Sequence, residues 1–383
     1  MFKDDLDFLR RHTPVVLLSD SLDRAQLIIC PEMQGRVMTS TGEGPKGRSY
    51  GWINRELIAS GENNPHMNAY GGEDRLWFGP EGGQFSIFFK KGDPFDLQHW
   101  YTPAPINEEP FDVVLESRDR VRFRKQIRLE NYSGTVFDLE AVREVRLLSA
   151  TEMQRRLNST LPEELKWVAF ESENSITNTG SNPWQKESGL LSIWILGMFQ
   201  PSPSTVVVIP YRSGPESELG PVVNDAYFGV VPPDRLRIAK DVIYFSGDGR
   251  HRSKIGLSRH RCLPVLGSYD AGAQLLSLVH YTLPKGDACY VNSMWELQDD
   301  PYSGDVVNSY NDGPPAPGAD PMGPFYEMES SSPAAALEPG ETLTHVHTTF
   351  HLQGGKDALD PIAGKQLGVH LDEIVNAFEQ GAP

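Results

Sequence analysis

Residues 121–131 read VRFRKQIRLEN and residues 135–148 read TVFDLEAVREVRLL. In the first stretch Val121, Phe123, Lys125, Ile127 and Leu129 take one face, and Arg122, Arg124, Gln126 and Arg128 take the other. A period of two is the mark of a strand with one face covered and one in water. The basic face reads as solvated. Short apolar or β-branched runs bounded by Asp, Pro and Gly continue in both directions: VVLL (15–18), AQLIIC (25–30), GRVMTST (35–41), FSIFF (85–89), FDVVLES (111–117), LSIWILGMF (191–199), TVVVIPY (205–211) and LLSLVHYTL (275–283). All fit strands. Helical spacing is confined to 2–11 (Phe2, Leu6, Leu9), roughly 151–157, and LDEIVNAFEQG at 371–381. No βαβ alternation, heptad or fixed repeat occurs, which excludes doubly wound and solenoid designs. The expectation is an all-β chain, one large antiparallel β-sandwich over 1–383, with short helices at its periphery.

Composition agrees. The chain has 383 residues, 39% hydrophobic and 23% charged, which is the balance of a globular protein. Its 35 glycines and 30 prolines imply many turns. A net charge of −17 repels phosphate backbones and anionic lipid, so neither nucleic acid nor a membrane surface is expected as a partner. The three cysteines, Cys30, Cys262 and Cys289, show no paired spacing, which argues against a disulfide scaffold and a structural zinc site. MFKDDLDFLRRH (1–12) has no apolar stretch of the signal-peptide kind, and the longest apolar runs are too short to span a bilayer.

The densest polar cluster is ENNPHMNAYGGEDRLWFGPEGGQ, residues 62–84, with His66, Asn68, Tyr70, Glu73, Asp74, Arg75, Trp77 and Glu81 among glycines 71, 72, 79, 82 and 83. Arginine forks two hydrogen bonds to vicinal oxygens, and an aromatic face covers the apolar side of a pyranose. Amides and carboxylates match hydroxyls. The glycine spacing fits neither phosphate-binding motif, so a sugar is the better reading. The alternative is a turn-rich connection held by structural ion pairs.

In PFYEMESSSPAAALEPGETLTHVHTTFHL (324–352), FYEMES reads as a strand that puts Glu327 and Glu329 on one face, about 7 Å apart at roughly 3.4 Å per residue. Crowded carboxylates raise one another's pKa, which suits acid–base work. The alternative is two solvated carboxylates. His345, His347 and His351 share the next strand's face. Their spacing allows a metal, but hydrogen-bonded strand histidines are the simpler reading; no metal or cofactor is expected. ITNTGSNPWQKESGLLSIWILGMFQP (176–201) contributes Trp184 and Trp194 as core or as sugar platform. Residues 299–324, DDPYSGDVVNSYNDGPPAPGADPMGP, read as one long irregular segment, either a binding loop or a surface excursion; Asn311 within it is a further sugar-binding candidate.

The GGEDRLWFGPEGG, FYEMESSSPAAALEPGETL, NTG…PW…GLLSIWILGMF and PEMQGRVMTST (31–41) segments together resemble an uncharacterised bacterial family of the galactose-mutarotase-like (aldose-epimerase) superfamily. The resemblance to that family spans nearly the whole chain. It implies a single-domain antiparallel β-supersandwich with a cleft on one face. In mutarotases a late glutamate deprotonates the anomeric hydroxyl and a histidine protonates the ring oxygen. Met328-Glu329-Ser330, with Pro333 following, is similar to the glutamate's surroundings, and His66 and Arg75 are the nearest matches to the sugar-binding histidine and arginine. No histidine stands between Glu171 and Gln200, where mutarotases place their acid.

The resulting expectation is a cleft for a small carbohydrate or oligosaccharide. Glu329 or Glu327 would act as base and His66 as acid; Arg75, Trp77, Glu73, Asn68, Tyr70, Trp184 and Asn311 would bind the sugar. The expected chemistry is epimerase-type or glycan-processing, the alternative a sugar-binding module without catalysis. Either one requires the early arginine and the late glutamates to meet in one concavity.

Overall fold

In the computed structural model, which describes residues 1–316 and 318–378, Arg120–Glu130 and Val136–Leu147 are antiparallel neighbours, with Val121 opposite Val145 and Ile127 opposite Leu139. Val121, Phe123, Ile127 and Leu129 are buried, while Arg122 pairs with Glu144 and Arg128 with Asp138 across the exposed face. Such exposed pairs contribute about 0–1 kcal/mol each. Full burial of one large apolar side chain contributes about 1.5–3 kcal/mol, so the covered face holds these strands.

They belong to a ten-stranded antiparallel sheet ordered Leu236–Ala239, Val242–Ser246, Thr205–Pro210, Val265–Asp270, Leu275–Tyr281, Thr342–Gln353, Lys166–Asn178, Val136–Leu147, Arg120–Glu130, Asp112–Glu116. A five-stranded sheet, ordered Ser253–Ser258, Asp305–Asn311, Tyr326–Ser331, Ser192–Phe199, Arg75–Gly79, packs on it. Three strands, Val16–Ser19, Gln26–Cys30 and Arg36–Thr41, form a smaller sheet. The core lies between the two large sheets: Phe78, Ile193 and Ile195 meet Phe123, Phe137 and Phe170, and Val307 and Met328 meet Val207 and Val279. The helices Ala150–Leu157 and Lys356–Leu367 cover part of the outer face of the ten-stranded sheet.

Four expectations need correction. FSIFF (85–89) is not a strand; Ile87, Phe88 and Phe89 are buried in turns and bends, because a short apolar run records burial and not extension. The 299–324 segment is not one irregular loop, since Asp305–Asn311 is a strand inside the five-stranded sheet. The helix Lys356–Leu367 was not expected, as Pro361 and Gly364 lower its propensity; Ala358, Leu359, Ile362, Ala363 and Leu367 bury one stripe on the sheet and outweigh that loss. Of the expected helix at 371–381, Leu371–Val375 is helical and residues 379–381 lie outside the described residues. No helix among the described residues is long and apolar enough to cross a membrane.

Candidate functional site

The site lies on the face of the five-stranded sheet turned away from the ten-stranded one. Alternation selects its residues. In the strand 75–79, Leu76 and Phe78 point into the core while Arg75 and Trp77 reach the outer face. The register then builds rows across the sheet. Lys254 stands opposite Tyr310, Tyr310 opposite Glu327, and Glu327 opposite Met198. In the adjacent row Asn308, Glu329, Leu196 and Arg75 follow one another, and in the next Trp194 faces Trp77.

Two diagonal contacts between a cation and a carboxyl cross these rows. Arg75 Nη2 donates to Glu327 Oε1 at 2.9 Å, and Lys254 Nζ donates to Glu329 Oε2 at 3.1 Å. Trp194 Nε1 donates to the same Glu329 oxygen at 2.8 Å. The Arg75 guanidinium lies 4.3 Å from the Trp77 ring centroid, and Lys254 Nζ lies 4.7 Å from that of Trp194. Both contacts are cation–π geometries.

Above the rows is an open cavity enclosing about 570 Å³ of non-atom space, mouth included. Its floor is Arg75, Trp77, Trp194, Lys254, Tyr310 and Glu327; Glu81, Trp100, Phe228 and Trp295 close over it from loops. Phe88 and Trp100 stack at 5.8 Å, and Trp100 and Trp295 at 6.0 Å. Among the described residues the buried Nε1 of Trp77 and of Trp100, Nε of Arg75 and Oε1 of Glu329 find no hydrogen-bond partner. Buried polar atoms without partners are uncommon in folded proteins.

Burial raises the Glu327 carboxyl to about 8; Arg75 opposes the shift and the Glu329 charge adds to it. Burial likewise raises Glu81. Burial alone would depress the Lys254 ammonium, but Glu329, Glu81 and Glu327 outweigh it and hold the group above its ordinary value. Near neutrality the cavity therefore holds a protonated carboxyl beside fixed cations.

Of the expected site residues, Arg75, Trp77 and Glu327 line this cavity, so the early arginine does meet the late acidic strand, and the two are bonded to each other. Glu329 lies one step along, fully buried beneath Lys254 and Trp194. The others are placed elsewhere. His66 holds the wall without lining the cavity: its ring is stacked on Tyr101 at 4.2 Å and its Nδ1 lies 2.6 Å from the Trp100 carbonyl oxygen. Asn68 is buried against Asn64 and Asn107. Tyr70 stacks beside Arg36, with 5.7 Å from guanidinium to ring. Glu73 is sealed by Ser40 and by His351 Nε2 at 2.9 Å. Trp184 is core, edge-on to Phe137, and Asn311 braces Gly249, Asp248 and His251. The glycines serve protein contacts as well: a Cβ on Gly71 would stand 2.1 Å from the Trp52 carbonyl oxygen, at a φ of +94°. His345 and His347 share Ser330 Oγ at 2.9 and 2.8 Å. Among the described residues no group of three or more His, Cys, Asp or Glu is arranged to hold a metal ion.

Lys254, Arg252, Trp100, Trp295 and Tyr310 were not expected in the site. The alternation of SKIGLS (253–258) was a usable strand signal that points Lys254 outward; nothing local marks Trp100 or Trp295.

Comparison with solved structures places the fold. The Slr1438 protein from Synechocystis sp. PCC 6803 is 13% identical, with 90% of this chain and 96% of that one covered at a TM-score of 0.50. A protein described as a candidate aldose 1-epimerase from Escherichia coli K12 is 13% identical, with 88% and 98% covered at a TM-score of 0.52. A galactose mutarotase-like protein from Lactobacillus casei is 10% identical at a TM-score of 0.47, with 89% and 100% covered, too distant to add to the comparison. The fold is thus the galactose-mutarotase-like sandwich. No curated protein is significantly similar in sequence. A family model matches residues 1–378, nearly the entire chain, and the protein belongs to that family, the family of unknown function DUF6786.

Proposed function

We propose that the chain binds a sugar ring in the aromatic cavity and that Glu327 exchanges a proton with it. The observation that carries the reading is the convergence of Trp77, Trp100, Trp194 and Trp295 on one concavity that also holds Arg75, Lys254, Glu81 and Glu327. Indole faces cover the C–H sides of a pyranose, and fixed charged groups hydrogen-bond its hydroxyls. A carboxyl held near 8 carries its proton at neutral pH and can give it to a ring oxygen. Glu81, the second carboxyl in the cavity, accepts the anomeric proton in the ionised form that the charges of Lys254 and Arg252 favour against burial. The C1–ring-oxygen bond then opens, and closure from either face returns both protons.

A second reading, a sugar-binding module without turnover, is favoured by a different observation. No histidine lines the cavity, and Arg75 and Glu327 already occupy each other.

A thermal-shift screen against monosaccharides, oligosaccharides and uronic acids tests binding, since a ligand of the folded state raises the melting temperature by mass action. NMR anomeric exchange on the hits, wild type against Glu327→Gln, then separates the two readings. A screen without a single stabilising sugar rejects both.

A further inference from the structure

The charges around the cavity are unevenly paired. Three cations line it: Arg75, Arg252 and Lys254. Arg75 is bonded to Glu327 and Lys254 to Glu329. Among the described residues Arg252 makes no salt bridge, and it is not idle side chain on an open surface. Its guanidinium sits 3.7 Å from the Phe228 ring centroid, and Phe228 in turn meets Tyr310 edge-on at 6.0 Å. Arg252, Phe228 and Tyr310 all line the cavity. The group is held in place by aromatic contact, with its hydrogen-bonding edge left over.

The neighbouring carboxyls do not supply the missing partner. Asp312 acts on Arg252 through charge alone, and its two oxygens are taken by Tyr310 Oη at 2.8 Å and by the Gly323 N–H at 2.9 Å. Glu81 also acts only at longer range. Glu327, raised to about 8, contributes little negative charge near neutrality. The cavity therefore holds one cation, Arg252, that no carboxylate among the described residues pairs with, inside a chain of net charge −17. A surface of that sign repels anions in general, so any attraction for one is local to this guanidinium.

We infer that the cavity takes a sugar bearing an anionic substituent, with the forked guanidinium of Arg252 as the group that reads it. The inference rests on the carbohydrate reading above and narrows its ligand. A guanidinium matches a carboxylate or a phosphate bidentately, and both are the same chemistry at this group. Neutral sugars would leave Arg252 unmatched.

Isothermal titration of the full chain at low ionic strength tests it. The probes are galactose and glucose, their uronic acids and their 6-phosphates. The expected result is at least about tenfold tighter binding of one acidic form than of its neutral parent, the scale of one charge-assisted hydrogen-bonded pair. Arg252→Met should bring the acidic-to-neutral ratio close to one, and Arg252→Lys, which keeps the charge without the fork, should retain part of it. The uronate and phosphate arms identify which anion is read. Equal affinity of neutral and acidic forms overturns the inference while leaving the carbohydrate reading in place. So does a preference that survives Arg252→Met. Absence of binding by every probe overturns both. Unfolding curves for the two variants show whether either has lost its fold; if Arg252→Met has, Arg252→Lys decides alone, and an undiminished preference there counts against the inference.

Discussion

Asp74 and Arg75 are consecutive, both are buried, and each is bonded to a side chain of the opposite type, yet the pairs differ in kind. Asp74 accepts from Arg143 at 2.6 Å and from Ser172 Oγ at 2.7 Å, while Arg143 also donates to Asn174 and to the carbonyl oxygens of Gly35 and Asp74. Both side chains of that pair are wholly excluded from solvent. Arg75 and Glu327 instead face a cavity, and Arg75 Nε has no partner among the described residues. A buried charge pair is tolerated when every remaining group is hydrogen-bonded. The first pair meets that condition and clamps the inter-sheet core to the start of the strand 75–79. The second does not, and its unmatched groups are what a ligand would satisfy.

The largest expected effect breaks the sealed pair. Asp74→Ala leaves Arg143 charged and uncompensated in the core and should cost about 3–5 kcal/mol of stability in urea denaturation. A cost below about 1 kcal/mol would mean that the pair does not clamp the sheets. Glu327→Gln probes the open pair. Near neutrality glutamine resembles the protonated acid already present, so stability should change little while anomeric exchange falls by at least about two decades. If exchange is unchanged, Glu327 is not the proton donor.

The pH dependence of stability separates the interior from the cavity. Burial holds His345 down at about 3 and His347 at about 4. Folding favours their neutral rings, so that contribution is present above the ordinary histidine value of 6.5 and is lost as pH falls toward 4 and then 3. Glu327 acts in the other direction. Its folded value of about 8 lies above the ordinary 4.5, so its contribution is complete below 4.5 and is lost as pH rises through 8. Melting temperatures measured from pH 4 to 9 should peak at about pH 6.5 to 7, where the two slopes cancel. His347→Asn should flatten the acid limb and Glu327→Gln the alkaline one; a limb that keeps its slope in its own variant contradicts the assignment.

The smallest expected effect is at the cavity wall. Trp295→Leu removes one aromatic face and should weaken sugar binding by about 0.5–1.5 kcal/mol, roughly two- to twelvefold, by titration calorimetry. Equal affinity would place the ring outside the site.

The strands that alternate were the legible ones. Arg120–Glu130 and Val136–Leu147 declare themselves because one face meets water. Arg75–Gly79 does not, since all five residues are buried and the stretch reads as part of a glycine-rich turn. Most of Lys166–Asn178 is also hidden: Ser172 and Asn174 look like surface residues, but both are buried where Arg143 and Asp74 satisfy them. The same limit applies to the site. FYEMES set the two glutamates on one face, and the strand does so; which of them reaches the cavity depends on Lys254 and Trp194, which come from other strands and cover Glu329.

Periodicity and composition by themselves were enough for the β character of the chain, its acidity and the shared face of Glu327 and Glu329, because these depend on nearest neighbours and on totals. The pairing of Arg75 with Glu327, the exclusion of His66 from the cavity, and the lack of a salt-bridge partner for Arg252 among the described residues required the tertiary structure. Each depends on distances between residues far apart in the chain, and hydrogen-bond and ion-pair energies act over a few ångströms of space with no regard for separation along the sequence.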